Sequence, residues 1–262
     1  MIQAIVLAFS TYSKIPMPKA KWDDKGMKYC ICAFPLVGVV IGLLQMALWY
    51  GFVQVWKLDH MLVAISMTVL PLVVTGGIHM DGYLDTMDAR MSYQPTEKKL
   101  QILKDPHMGA FACIKGAVYL LLYLGICSQF LVKVKTMDIQ DAWKMMLAYG
   151  MVFVYTRILS GLGVEVFRKA KKDGMVAQLS RQSDKTVIAI LVAELLGCAV
   201  AVMIVAPLPG SLLLCAGGLW FLWYRHMAYR EFGGVTGDLA GYFLQSCELL
   251  LLTVLTIWSL IF

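Results

Sequence analysis

Seven apolar runs, each close to the length of a lipid bilayer, constrain the fold of this chain most strongly. They cover residues 29–53, 60–78, 109–132, 142–164, 186–206, 211–229 and 239–261. A helix needs about 20 apolar residues to cross the hydrocarbon core, and only helices and closed barrels satisfy their backbone there. The chain is 60% hydrophobic and 15% charged, with a mean hydropathy of +0.71, unlike a soluble domain. We therefore predict an all-α, polytopic helical membrane protein in which residues 1–262 form a single domain.

The first twelve residues are apolar but too short to span a bilayer. They predict a short N-terminal helix that is interfacial, re-entrant or half of a tilted span. Basic residues follow this segment rather than precede it, which is the wrong order for a cleaved signal peptide. The seven cysteines lie mostly in apolar runs and form no Cys-x-x-Cys pair, which argues against a disulfide framework or a zinc site.

The lysines and arginines between the runs predict the orientation. Sixteen of them lie in loops 13–28, 79–108, 165–185 and 230–238, against three in loops 54–59, 133–141 and 207–210. Basic loops stay on the cytoplasmic side, so the first set is expected there. Because basic residues alternate with membrane spans, no nucleic acid partner is expected; the lipid membrane is the partner.

The stretch Gly76–Asp88, GGIHMDGYLDTMD, concentrates chemistry at the end of the second long run. It holds His79 and three carboxylates spaced at i, i+4 and i+7, namely Asp81, Asp85 and Asp88. At about 100° per residue, these carboxylates share one face of a helix. Clustered carboxylates repel one another unless a cation lies among them, and the hard divalent cations Mg²⁺ and Mn²⁺ prefer oxygen ligands. The alternative is a solvated acidic face at a helix end.

Two further polar elements approach membrane spans from the same side. Lys104–Gly109, KDPHMG, offers Lys104, Asp105 and His107 for contact with substrate, or is an ordinary polar turn. Gly233–Asp238, GGVTGD, offers backbone N–H groups around Gly234 and Thr236 to phosphate oxygens. Its Asp238 is a metal ligand or a helix N-cap, and spacing alone favours the cap.

Two charged residues lie within apolar runs, and one basic cluster lies directly after a run. Arg157 and Glu248 lie inside runs, where an ionised group needs a partner or a water-filled cavity. We interpret Arg157 as a phosphate or carboxylate partner in preference to a side chain that reaches the interface. A basic cluster follows the 142–164 run, and its default interpretation is contact with anionic lipid, with substrate phosphate as the alternative: Arg168, Lys169, Lys171 and Lys172.

Taken together, these motifs resemble the cobalamin-5′-phosphate synthase family, also called adenosylcobinamide-GDP ribazoletransferases. The resemblance runs along nearly the whole chain and rests on KIPMP at 14–18, FPLVG at 34–38, TGGIHMDGYLDTMDA at 75–89, KDPHMG at 104–109, Gly161-Leu162-Gly163, GGVTGD at 233–238 and Glu248. It implies transfer of adenosylcobinamide phosphate from adenosylcobinamide-GDP to α-ribazole or its 5′-phosphate, with release of GMP. It also implies a Mg²⁺ cofactor and an active site facing the cytoplasm from a prokaryotic inner membrane.

The resemblance and the residues together give a set of expected roles. Metal ligands are expected at Asp81, Asp85, Asp88 and Asp238. The catalytic set is Asp88, Asp85 and His79, in which Asp88 or His79 takes the hydroxyl proton and a carboxylate is favoured. Substrate-binding residues are expected at Lys104, Asp105, His107, Arg157, Gly234, Thr236 and Glu248. The sequence is compatible with a homo-oligomer, but no pattern in it indicates the oligomeric state.

Two other classes of protein compete with this interpretation. CDP-alcohol phosphotransferases also carry an aspartate-rich motif at the cytoplasmic end of a span, but here Asp85 follows Asp81-Gly82 and Ala89-Arg90 comes too late for their pattern. A cation transporter would use the acids as ion ligands, but transporters typically show internal repeats and mid-membrane sites, and no repeat is visible.

Overall fold

The computed structural model describes residues 2–19, 22–170 and 184–262, and within them the chain forms ten α-helices. We label them α1 (Ile2–Tyr12), α2 (Asp24–Trp49, continued by a π-helical segment Tyr50–Val55), α3 (His60–Thr75), α4 (Ile78–Met91), α5 (Thr96–Ile102), α6 (Ala110–Thr136), α7 (Ile139–Val166), α8 (Lys185–Val205), α9 (Pro207–Phe232) and α10 (Gly237–Ile261). The all-α prediction is confirmed.

Six of these helices are long and apolar enough to cross a membrane: α2, α6, α7, α8, α9 and α10. The number becomes seven if α3 and α4, which meet at a 95° bend, are counted as one broken span. Each of the six corresponds to one of the predicted runs. The short N-terminal segment is the 11-residue helix α1, which packs on α2.

Helix α7 is the centre of the bundle, with most of its length buried against α2, α8 and α10. Small residues allow the closest of these contacts. A Cβ on Gly42 would lie 2.7 Å from the carbonyl oxygen of Gly150, and one on Gly38 would collide with the backbone of Phe153. Helices in a bilayer rely on such close packing to associate. Lipid tails are as apolar as the helix surfaces, so no hydrophobic force drives the helices together.

The predicted span 60–78 and the predicted loop 79–108 are both wrong in detail. Helix α3 ends at Thr75, because Gly76 and Gly77 take left-handed conformations with φ of 64° and 78°. The N–H groups of Gly76 and Gly77 donate to Val73 and Leu72, which closes the helix in a Schellman motif. The chain then turns through 95° into α4, so the acidic motif occupies a helix of its own.

The segment Phe167–Ala170, which we call the strap, links α7 to the turn before α10. The Val235 N–H donates to the Arg168 carbonyl at 2.8 Å, and the Ala170 N–H donates to the Val235 carbonyl at 3.0 Å. A Cβ on Gly234 would lie 2.5 Å from the Arg168 carbonyl oxygen, so only glycine fits under the strap. The predicted basic residues Lys171 and Lys172 lie outside the described residues.

Candidate active site

The three carboxylates of α4 lie on one helical face, as their spacing predicts. We call this set, Asp81, Asp85 and Asp88, the acidic face. Asp81 is exposed, and Asp85 and Asp88 are half-buried. The opposite side of the helix is buried, with His79, Tyr83 and Thr86 turned toward the protein. Helix α4 is therefore amphipathic, with carboxylates on its outer face and polar and aromatic side chains on its inner face.

Two glycines bring Asp238 of α10 to the acidic face. A Cβ on Gly82 would lie 2.7 Å from the Asp238 carbonyl oxygen, and a Cβ on Gly241 would lie 2.8 Å from the His79 carbonyl oxygen. The backbones of α4 and α10 therefore touch where they cross, which only glycine permits at both positions. This contact places the first turn of α10, with Asp238, beside α4.

The carboxylates influence one another electrostatically. Burial raises the pKa of Asp85 to about 6, and three neighbouring carboxylates add to the shift: Asp81, Asp238 and Asp88. A carboxyl group surrounded by like charges resists ionisation until a cation arrives. The charges of three of the predicted metal ligands therefore act on the fourth, Asp85.

The metal-binding role of this set stays a prediction. Among the described residues, no three His, Cys, Asp or Glu side chains are gathered closely enough to hold a metal ion as they stand. The donor chemistry nevertheless fits Mg²⁺, because the acids supply only oxygen and raise the pKa of Asp85 by mutual repulsion. Mg²⁺ usually keeps several waters and binds through one or two carboxylates plus substrate phosphates, so it does not require a closed protein cage.

Asp88 has a structural task that the sequence analysis did not identify. One carboxylate oxygen accepts from the Gly109 N–H at 2.6 Å and the other accepts from the Ala112 N–H at 3.0 Å. These are the N-cap and third residues of α6, whose N–H groups have no partner within the helix. Asp88 therefore caps α6 from a different helix, and Gly109 leaves the space for it. The carboxylate that we favoured as general base is already engaged by two donors.

His79 is buried, with a 5% exposed surface, on the inner side of α4. Its ring lies near those of Tyr12 and Phe34, with centroids 6.3 and 5.5 Å away. Neither ring nitrogen has a hydrogen-bond partner among the described residues. Burial, with a contribution from the charge of Arg157, holds the pKa of His79 well below its usual range. The imidazole is neutral and faces away from the acidic face, which does not favour the predicted role as base.

Arg157 and Glu248 pair with each other rather than with a substrate. The Arg157 Nη1 donates to Glu248 Oε1 at 2.8 Å and to the Phe153 carbonyl at 2.9 Å. The two side chains are 1% and 2% exposed. The prediction that each intramembrane charge needs a partner is correct, but the partner is internal. Their predicted role in substrate binding is untested, and burial does not favour it.

The Lys104–Gly109 segment forms the approach to α6 and reaches the acidic face through Gly109. Asp105 and His107 are exposed and hydrogen-bonded to each other, with 2.8 Å between Oδ1 and Nδ1. The backbone and side-chain hydrogen bonds from His107 lower the pKa of Asp105. Lys104 is also exposed. The loop therefore stands at the edge of the site, and substrate contact by these three residues stays a prediction.

The predicted roles within GGVTGD need correction. The N-cap of α10 is Thr236, whose hydroxyl oxygen accepts from the Leu239 N–H at 3.2 Å, whereas Asp238 lies in the first turn. The Gly234 N–H donates to the Ala228 carbonyl and the Val235 N–H to the strap, so these two donors are not directed at a phosphate. Gly234 and Thr236 shape the turn that presents Asp238.

A second cluster that the sequence did not reveal holds the far end of α4. Arg90 donates to Glu231 through Nη2 at 3.1 Å and to the Tyr242 hydroxyl at 2.8 Å, and Lys99 donates to Glu231 at 2.9 Å. This network fixes α4 and α5 to α9 and α10. Arg90 directly follows the acidic motif, but nothing in the sequence spacing links it to Glu231.

The fold and the site define an all-α, polytopic membrane enzyme with a carboxylate cluster where a broken helix pair meets the N-termini of two spans. The family model described as cobalamin-5-phosphate synthase matches residues 4–256. This chain belongs to the cobalamin-5-phosphate synthase family.

Curated relatives agree with the family match. The chain is 42% identical over 250 residues to a protein named adenosylcobinamide-GDP ribazoletransferase from Lachnoclostridium phytofermentans, covering 95% of this chain and 91% of the relative. It is 31% identical over 255 residues to a protein of the same name from Clostridium perfringens, covering 94% of each. A Geobacillus protein of that name is 26% identical over 256 residues, covering 93% of this chain and 91% of the relative. No solved structure matches the chain.

Proposed function

We propose that this protein transfers the adenosylcobinamide-phosphate group of adenosylcobinamide-GDP to α-ribazole or its 5′-phosphate, releasing GMP. The observation that carries the proposal is the close contact of α4 with α10, which brings Asp238 beside the helix that carries the three acids. Their charges act together on Asp85. The names of the relatives supply the substrate class. Such a site suits a diphosphate substrate, whose charge must be neutralised before a phosphate can leave.

Asp81, Asp85 and Asp238 are the residues that would hold Mg²⁺ in this proposal, with Asp88 at the edge of the set. The bound ion would neutralise charge on the diphosphate and on the leaving GMP. Burial raises the pKa of Asp85 most, and the neighbouring carboxylates add a repulsion that a cation would relieve. The substrate phosphates would complete the coordination, since no closed cluster of ligands exists among the described residues.

In the proposed reaction, the ribose 3′-hydroxyl of α-ribazole attacks the phosphorus nearest the corrinoid. A new P–O bond forms, the bond from that phosphorus to the oxygen of GMP breaks, and the hydroxyl proton passes to a carboxylate of the acidic face. Asp85 suits this role better than Asp88, because Asp88 already accepts two backbone N–H groups.

The remaining residues of this proposal position these groups. Asp88 fixes the N-terminus of α6, Thr236 shapes the first turn of α10, and the Arg157–Glu248 pair holds α7 to α10. Lys104 is the exposed cation nearest in sequence to the Gly109 cap, and we assign it to a substrate phosphate. The basic loops support a cytoplasmic site, where nucleotides and Mg²⁺ are available.

The test is GMP release from adenosylcobinamide-GDP by the detergent-purified protein. Reactions with and without α-ribazole and with and without Mg²⁺ are compared with an Asp85→Asn variant. We expect GMP release only when α-ribazole and Mg²⁺ are both present. The Asp85→Asn variant should release GMP about 10²- to 10³-fold more slowly. CMP release from a CDP-alcohol substrate would indicate the rival phosphotransferase. Ion flux into proteoliposomes without nucleotide would indicate the transporter, and either result with no GMP release would overturn the proposal.

A further inference from the structure

Two arginines flank a single tyrosine where the strap meets α9. The guanidinium carbon of Arg168 lies 5.0 Å from the centroid of the Tyr229 ring, and that of Arg225 lies 5.1 Å from it. Arg225 also lies 5.9 Å from the ring of Phe167. The main-chain N–H of Arg168 donates to the Tyr229 hydroxyl at 2.8 Å. Both arginine side chains are exposed beside this aromatic platform.

In the part of the chain that the structure describes, neither the Arg168 nor the Arg225 guanidinium forms an ion pair with an acid, whereas Arg90 and Arg157 each pair with a glutamate. The neighbouring Lys169 is not available either, because its ammonium donates to the Val164 and Phe167 carbonyls at the end of α7. Two exposed guanidinium groups that contact one ring form a local positive charge that attracts an anion.

The position along α9 indicates which anion this is. Arg225 lies seven residues before the helix end at Phe232, which is roughly 10 Å along the axis. Its neighbours Leu222 and Val166 are 61% and 57% exposed, as lipid-facing residues are. An exposed arginine just inside the end of a lipid-facing helix lies at the depth of the phospholipid headgroups.

We propose that Arg168 and Arg225 bind the phosphate of one anionic phospholipid in the leaflet at this end of the protein. The planar guanidinium suits phosphate because its parallel N–H groups match two phosphate oxygens. The Tyr229 ring holds both cations by stacking, which leaves their edges for the ligand. The site depends only on these contacts and the membrane fold, and does not require the proposed reaction.

The bound lipid has a consequence for the acidic face. Arg168 donates through Nε to the Gly233 carbonyl at 2.8 Å, and its own carbonyl accepts from Val235. The lipid phosphate therefore anchors the strap, the strap holds the GGVTGD turn, and the turn presents Asp238. Losing the lipid loosens the first turn of α10 without touching the carboxylates themselves. This second step rests on the function proposed above.

Retained lipid tests the binding site directly. The full-length protein is reconstituted in nanodiscs containing phosphatidylcholine with a minority of phosphatidylglycerol, transferred to neutral detergent, and analysed by native mass spectrometry. Arg168→Gln with Arg225→Gln is compared with Arg230→Gln, an exposed arginine of the same helix. We expect the double variant to retain at least about fivefold less phosphatidylglycerol than the wild type and Arg230→Gln. Equal retention in all three proteins would overturn the proposal.

Soluble anions distinguish the source of the phosphate. Inorganic phosphate and GDP are added to the protein in discs of phosphatidylcholine alone. If either binds to the wild type and is lost in the double variant while lipid retention is unchanged, the site serves a soluble phosphate and the lipid proposal is wrong. We expect no such binding, and GMP release about threefold faster in discs with phosphatidylglycerol. A change in lipid retention without a change in GMP release would keep the site and remove its effect on the turn.

Discussion

The acidic face of α4 and the Arg157–Glu248 pair handle charge in opposite ways. The pair is almost fully buried, and each group has its counter-ion at 2.8 Å. The acidic face is half-exposed, and its carboxylates, with Asp238, act on one another so that the pKa of Asp85 rises to about 6. Both regions join α10 to a helix packed against it, α7 for the pair and α4 for the acidic face. They differ in whether each charge already has a counter-ion.

This difference separates structural charges from ligand sites within one membrane protein. A buried pair is already neutral and gains nothing from a further ion, although removing one member leaves a costly charge behind. A cluster of like charges is stabilised by a ligand of opposite sign, and in the function proposed above that ligand is Mg²⁺. We therefore expect Arg157 and Glu248 to act in stability and the acidic face to act in the proposed reaction.

Breaking the buried pair should give the largest effect on stability. Glu248→Leu leaves Arg157 buried without its counter-ion, which should lower the free energy of unfolding by about 3–5 kcal/mol. The measurement is denaturant-induced unfolding in detergent micelles. Arg157→Met combined with Glu248→Leu removes both charges and should recover most of the loss. A double variant as unstable as Glu248→Leu would contradict the scaffold role.

Removing one acid of the cluster should affect activity more than stability. Asp238→Asn takes away a carboxylate that acts on Asp85, and should lower the kcat for GMP release by about 10²- to 10³-fold. Asp105→Asn is the matched comparison, because its carboxylate is exposed and hydrogen-bonds to the neighbouring His107. We expect no more than about a fivefold change there, since solvent-exposed pairs contribute little. Equal losses in both variants would support the predicted substrate-binding role of Asp105.

Asp88 combines the two kinds of role and should show a smaller effect on stability. Asp88→Ala removes the acceptor for the Gly109 and Ala112 N–H groups and should cost about 1–2 kcal/mol of unfolding free energy. Asp138 caps α7 through the Gln140 and Asp141 N–H groups, at the opposite end of the bundle. Asp138→Ala should cost a similar amount.

Only Asp88→Ala should also slow GMP release, because α6 begins at the acidic face. The two variants are compared by GMP release at saturating Mg²⁺, corrected for the folded fraction. Equal rates of GMP release in Asp88→Ala and Asp138→Ala would mean that Asp88 only caps α6 and has no part in the reaction.

The sequence predicted the helical spans and the acidic set, and it failed where distant elements meet. Apolar runs and the i, i+4, i+7 spacing depend on local periodicity, so α4 and its face were predictable. The bend between α3 and α4 depends on the left-handed conformations of Gly76 and Gly77. Two adjacent glycines in a sequence do not by themselves predict a turn of 95°. The partners of Arg157 and Arg90 lie 91 and 141 residues away, so spacing could not identify them.

The smallest effect concerns the charge of Asp85 in the metal-free protein. Its pKa is raised from 3.8 to about 6 on folding, so its contribution to stability is fully present below about pH 4 and is lost as the pH rises through 6. Asp85→Asn cannot ionise and should raise the Tm by a few degrees at pH 7.5 without Mg²⁺. The difference should shrink as the pH falls from 6 toward 4.

Added Mg²⁺ should reverse the order of the two proteins. It should raise the Tm of the wild type, because the cation relieves the repulsion at Asp85, and leave Asp85→Asn nearly unchanged. Glu97→Gln on α5 removes an exposed carboxylate in the first turn of a helix and should give no gain at pH 7.5. A gain from Asp85→Asn that is independent of both pH and Mg²⁺ would mean that the cluster is a solvated acidic surface, and the contrast with the buried pair would fail.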